Sequence, residues 1–112
     1  MIPSMAVAAA HETPFTAIAC ATRRTILDAL RGQECSVSDL VAVAGISQPS
    51  VSQHLRVLKD VGLVDERRAG KFRFYRLKAA PLAEVMTWVK AYEQFWTQQL
   101  AALGRVLDDM KE

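Results

Sequence analysis

The sequence predicts a mainly α fold that carries one small β-hairpin and ends in a long helix. Three observations predict it. Apolar residues recur every three or four positions in short segments between Pro14 and Leu58. After Gly62 the pattern switches to two extended runs joined across Ala69, Gly70 and Lys71. From Pro81 the three-and-four spacing returns and is sustained to Met110 without an internal proline.

Residues 1–13 are small and apolar without clear periodicity, which predicts a flexible N-terminal arm before a single domain over residues 14–112. Pro14 suits the first turn of a helix on which Phe15, Ile18 and Ala19 share a side. A second helix starts near Thr22, with Ile26, Leu27 and Leu30 as its apolar stripe and Gly32 as its stop. Ser36 followed by Asp39 is a variant capping box, opening a short helix that turns Val37, Leu40 and Val41 inward and ends before Gly45. Ser47 is the expected cap of the next helix, and Pro49 sits in its first turn, where a missing N–H costs nothing. Val51, Leu55 and Leu58 give that helix one buried stripe. Two short helices joined by a tight glycine-containing turn make a helix-turn-helix.

The hairpin pairs residues 63–68 with residues 72–77. Its second strand places Arg73, Tyr75 and Leu77 on one face and Phe72, Phe74 and Arg76 on the other, so both faces must be partly covered. Pro81 opens the last helix. Leu82, Val85, Val89, Tyr92, Trp96, Gln99, Leu103, Val106 and Met110 form a coiled-coil-like seam along it, with Gly104 as its weak point. Run as one piece, such a helix would be roughly 40 Å long. A domain this small cannot bury both sides of it, and Trp88, Phe95 and Leu100 lie off the seam. Burial against a second copy is therefore expected, an intramolecular core helix being the alternative.

Composition narrows the function classes. With 112 residues, 51% hydrophobic and 23% charged, the chain is one domain of ordinary globular balance, which excludes extensive disorder. No segment approaches the roughly 20 mostly apolar residues of a bilayer span. No Lys or Arg precedes Arg23, so the apolar start reads poorly as a secretory leader. Two cysteines are too few for a disulfide scaffold and point to the reducing cytoplasm. The net charge of +2 is unevenly placed: residues 47–78 carry eight basic and three acidic side chains, between two mildly acidic flanks. A solvated charged surface would explain this block, and so would a polyanion-binding face.

The fold decides for the second. A helix-turn-helix followed by a basic hairpin is a winged helix, whose second helix fits the major groove of duplex DNA while the hairpin lies along the backbone or the neighbouring minor groove. On that helix Pro49, Ser52, Gln53, Arg56 and Asp60 point away from the core, with Ser50 on the shoulder. Gln can pair bidentately with adenine and Arg with guanine, while Ser is permissive. Ser47 and Gln48 sit at the helix N-terminus, where free N–H groups favour a phosphate. Arg67, Arg68, Lys71 and Arg73 would supply sequence-independent contacts from the wing. His54 lies beside the apolar stripe and reads as a hydrogen-bonded structural residue, and Pro49 as a shaper of the helix start.

Four segments, residues 22–27, 47–58, 62–64 and 70–77, resemble in order and spacing the ArsR/SmtB family of bacterial winged-helix repressors. The resemblance covers about residues 15–107. It implies a homodimer bound to a palindromic operator, commonly an autorepressor released by an inducer that the sequence does not identify. It also implies a dimer formed through the first and last helices, which brings in Phe15 and Ile18 with Val85, Val89, Tyr92, Trp96 and Leu103.

Metal-sensing members of that family carry a Cys-x-Cys pair just before an Asp-Leu. Here Ser36 and Ser38 occupy those places, with Cys35 one position off. The family's other common site uses acidic and His ligands on the last helix, and no histidine follows His54. Thiolate and imidazole are what a soft or borderline metal needs, so no metal site and no cofactor are expected. Cys20 and Cys35 read either as small buried hydrophobes or as a thiol switch, Cys20 standing where a helix N-terminus can lower a thiol pKa. A thiol-responsive repressor and a winged helix kept as a protein-interaction module are the remaining alternatives. An enzyme is not expected, since there is no phosphate-cradling Gly loop, no His-Glu-x-x-His and no nucleophile paired with a His base.

Overall fold

The computed structural model describes residues 12–110 of the chain. Most of the expected arm lies outside the described residues, as does His11. Of the residues that are described, Thr13 caps α1 (Pro14–Ile18) in a reciprocal box with Thr16. The Thr16 hydroxyl also donates to Glu12 Oε1 at 2.9 Å. Ala17 is the buried residue of this helix, Phe15 and Ile18 are half-buried, and Ala19 is its exposed C-cap.

α2 (Ala21–Leu30) buries Ile26, Leu27 and Leu30, as the spacing predicts. Its first turn ties back to α1 through two arginines. Arg23 Nε donates to Ala17 O at 2.7 Å and Arg24 Nη1 to Ile18 O at 2.8 Å, satisfying carbonyls that the short helix leaves open. Ser36 and Asp39 form the expected capping box at the start of α3 (Val37–Ala44). Gly45, at φ 69°, ends α3 in the left-handed conformation that lets the chain turn at once into α4 (Gln48–Asp60).

α4 ends in a Schellman motif. The N–H of Leu63 donates to Leu58 O at 2.9 Å and that of Gly62 to Lys59 O at 3.0 Å, with Gly62 at φ 80°. Leu58 and Leu63, both fully buried in the core cluster, occupy the two positions whose apolar side chains accompany this cap. The same turn aims the chain into β2 (Val64–Ala69), one residue later than expected, which pairs antiparallel with β3 (Phe72–Leu77) across Gly70 and Lys71. A third strand, β1 (Cys35–Ser36), adds to the other edge of β3, so the sheet order is β1-β3-β2. Two residues are too short for any periodicity to announce.

This is a winged helix-turn-helix. The core gathers Ala17, Ile26, Leu27, Leu30, Cys35, Leu40, Val51, Leu55, Leu58, Leu63, Val64 and Tyr75. Val37 and Val41 pack against it half-buried. Both faces of β3 are covered as the alternation demands. Tyr75 is buried in the core, while half-buried Phe74 lies beneath the Arg67 guanidinium, 5.0 Å from its ring centre.

The chain divides into two compact units, one ending at Leu82 and the other starting at Ala83. The C-terminal segment is not one uninterrupted helix. α5 (Leu82–Lys90) and α6 (Glu93–Met110) are separated at Ala91 and Tyr92, where the N–H groups donate three residues back, to Trp88 O and Val89 O. This tightened turn interrupts the ladder without Pro or Gly, so it leaves no mark in composition. Gly104, the expected weak point, lies inside α6. At 18 residues α6 alone spans about 27 Å.

Candidate nucleic-acid interface

The α4 stripe of Val51, Leu55 and Leu58 is buried, and the opposite side follows from that rotation. Gln48, Pro49, Ser52, Gln53, Arg56 and Asp60 are exposed and Ser50 is half-buried. Ser47 is the cap. Its Oγ accepts the Ser50 N–H at 3.3 Å and donates to Ser50 Oγ at 3.0 Å, so both hydroxyls are partly engaged in starting the helix. His54 is half-buried beside the stripe, its Nδ1 3.3 Å from Arg23 Nη1. That contact ties α4 to α2 and accounts for the residue structurally.

The wing stands against this face. Residues of both elements line two open clefts. One, of about 190 Å³, lies between Gln48 and Ser52 of α4, the α3 start at Ser36–Ser38, and Lys71, Phe72 and Arg73 at the wing tip. The other, of about 210 Å³, is bordered by Ser52, Leu55, Arg56, Lys59, Glu66, Arg73 and Tyr75. The exposed hydrogen-bonding groups of α4 and the wing cations therefore share continuous ground.

The wing cations differ in how committed they are. Arg67 forms a bidentate pair with Glu34, at 3.1 and 2.8 Å, while lying over Phe74. This pairing pulls the Glu34 carboxyl below its ordinary range and raises Arg67 further. Arg67 is thus a brace between the α2–β1 loop and the sheet as well as an exposed cation. Arg73 and Arg68 approach Glu66 Oε2 at 3.6 and 3.9 Å. Lys71 has no carboxylate within salt-bridge distance among the described residues; its Nζ lies 5.7 Å from the Phe72 ring centre. Glu34, Glu66, Lys59 and the exposed Phe72 were not singled out from the sequence. Glu34 and Arg67 stand 33 positions apart, and no local pattern joins them.

The two cysteines sit in opposite environments, both as free thiols. Cys35 is in the core, where burial and the Asp39 charge push its thiol up. Cys20 is the half-buried N-cap of α2. The backbone N–H of Arg23, and after it that of Thr22, favours its thiolate over the opposing effect of burial, although no cap hydrogen bond closes. Among the described residues no three His, Cys, Asp or Glu side chains come together as a metal site would require.

Comparison with known proteins places this arrangement. Residues 20–66 match the family model described as "Bacterial regulatory protein, arsR family". The HTH-type transcriptional regulator Rv2034 of Mycobacterium tuberculosis is 36% identical over 97 residues, covering 87% of this chain and 88% of that protein. The transcriptional repressor SdpR of Bacillus subtilis is 37% identical over 75 residues, covering 67% of this chain and 83% of its own length. Among solved structures, an ArsR-like transcriptional regulator from Rhodococcus sp. RHA1 superposes with a TM-score of 0.64 at 27% identity, over 85% of this chain and 87% of that one. A possible transcriptional regulator for arsenical resistance gives 0.62 at 37% identity, over 77% and 90%. With its helix-turn-helix, wing and sequence all matching along most of their lengths, the chain belongs to the ArsR family of bacterial transcriptional regulators, proteins that are not enzymes.

Proposed function

We propose that this protein is a sequence-specific, DNA-binding transcriptional repressor that acts as a cytoplasmic homodimer on a palindromic operator and is released by an inducer. The observation that supports this best is the shared ground of α4 and the wing. Exposed Gln53 and Arg56 suit base edges, and Lys71 and Arg73 beside them suit phosphates. Ser47, Gln48, Ser50 and Ser52 complete the helix side, and Arg67 and Arg68 the wing side. No helix among the described residues is long and apolar enough to cross a membrane.

Fluorescence anisotropy with a labelled duplex from immediately upstream of the gene, at two salt concentrations, tests this reading. Binding that weakens as salt rises is expected, because binding releases counterions condensed on the DNA and that release gains less entropy at higher salt. Lys71→Ala is expected to weaken cognate and random duplexes alike and to reduce the log–log salt slope by roughly 0.9. Salt-independent binding, or none, favours a protein-interaction module instead.

Dimerisation is proposed from the second unit. Tyr92, Trp96, Leu103, Val106 and Met110 are all exposed, as are the off-seam Trp88, Phe95 and Leu100, while Val85 and Val89 are half-buried. An exposed apolar row of this kind exceeds what a soluble monomer usually shows. Phe15 and Ile18, half-buried on α1, remain part of the proposed interface. Trp96→Ala is expected to shift the protein toward monomer at micromolar concentration in sedimentation velocity, with loss of a large aromatic anchor of about 2 kcal/mol or more. An intact dimer would move the interface elsewhere.

A further inference from the structure

Glu66 lies on β2 with its side chain 14% exposed, at the floor of the cleft between α4 and the wing. Lys59 Nζ, from the last turn of α4, donates to its Oε1 at 3.0 Å. The other oxygen, Oε2, is buried and has no hydrogen-bond partner among the described residues. Arg73 Nη1 and Arg68 Nε stand 3.6 and 3.9 Å from it, inside ion-pair range and outside hydrogen-bond range. The charges of the two arginines are thereby held, while their N–H donors stay available to another acceptor. Arg68 and Arg73 are direct cross-strand partners, a placement that repels unless a counter-charge lies between. A half-satisfied carboxylate is a poor device for stability alone, since a buried acceptor without a donor is costly.

We propose that Glu66 is a specificity-determining positioning residue. Its carboxylate ties Lys59 of the base-reading helix to Arg68 and Arg73 of the wing and fixes the span between the two. With that span held, a duplex must match it to bind well. This rests on the reading of α4 and the wing as the DNA face.

The test compares a duplex enriched by the wild-type protein from a random-sequence library with a scrambled duplex of the same composition. Wild type, Glu66→Gln, Arg73→Ala and the double variant are measured by anisotropy at one salt concentration, and each is checked by thermal unfolding. Glu66→Gln is expected to narrow the ratio between the two duplexes about tenfold, chiefly by tightening on the scrambled one. In the Arg73→Ala background the same change is expected to narrow the ratio clearly less, by about threefold, because the nearer of the two coupled wing cations is gone and only Arg68 remains tied. Equal narrowing in both backgrounds, or none while the wild type discriminates, overturns the proposal. A carboxylate that merely relieved the Arg68–Arg73 repulsion would move the unfolding temperature and leave the ratio alone. Should Glu66→Gln fail to fold, Lys59→Gln decides: it cuts the helix side of the tie, and unchanged discrimination overturns the proposal. If the wild type enriches no duplex, the base-reading assignment fails first and takes this proposal with it.

Discussion

Leu55→Ala is expected to lower the unfolding free energy by about 2–5 kcal/mol, the range for truncating a fully buried leucine. Leu55 is 1% exposed, at the centre of the α4 stripe between Val51 and Leu58. α4 packs through that stripe against α2, α3 and β2, so the cavity would open where three elements meet and cannot collapse from one side. Domains of this size hold only about 5–15 kcal/mol in total, so the loss is a large share of it. Each kcal/mol is worth about 4–8 °C for a small domain, which puts the expected fall in Tm at roughly 10 °C or more. Urea and thermal unfolding at one fixed protein concentration check it, the concentration being held because association adds to apparent stability. A loss under about 1 kcal/mol would mean that the α4 stripe is rotated away from the core.

Arg56→Ala, the neighbouring substitution, is expected to do the reverse. Arg56 and Gln53 are exposed and make no ion pair among the described residues, so truncating either should leave stability within about 0.5 kcal/mol. On the preferred duplex each should cost roughly 1–3 kcal/mol, or about 5- to 150-fold in Kd, with relaxed discrimination at the bases contacted. On random duplex the Gln53 variant should bind nearly as the wild type does, since a neutral amide adds no counterion release. Anisotropy against both duplexes reads this directly. If both variants bind preferred and random DNA as the wild type does, base reading lies elsewhere on the protein.

These two predictions concern adjacent residues because helical rotation was already legible in the sequence. Val51, Leu55 and Leu58 are the three stripe residues the spacing predicts, and all three are buried. The caps were equally readable: Ser36 with Asp39, Ser47 with Pro49, and Gly45 act within a few residues, which is the range over which side chains meet backbone donors. Local rules failed where nothing local decides. β1 exists only because β3 offers it an edge, and the helix breaks at Ala91–Tyr92 without Pro or Gly.

The sequence alone determined the helix-turn-helix, the hairpin and the polar face of α4, because hydrophobic periodicity and end-capping operate over one or two turns of chain. Only the tertiary structure decided how the wing's charges are spent. Arg67 is bound by Glu34 from 33 positions away, Glu66 gathers Lys59, Arg68 and Arg73, and Cys35 is drawn into the core. Charge pairing and burial depend on distance through space, and that distance is set only once the core has closed.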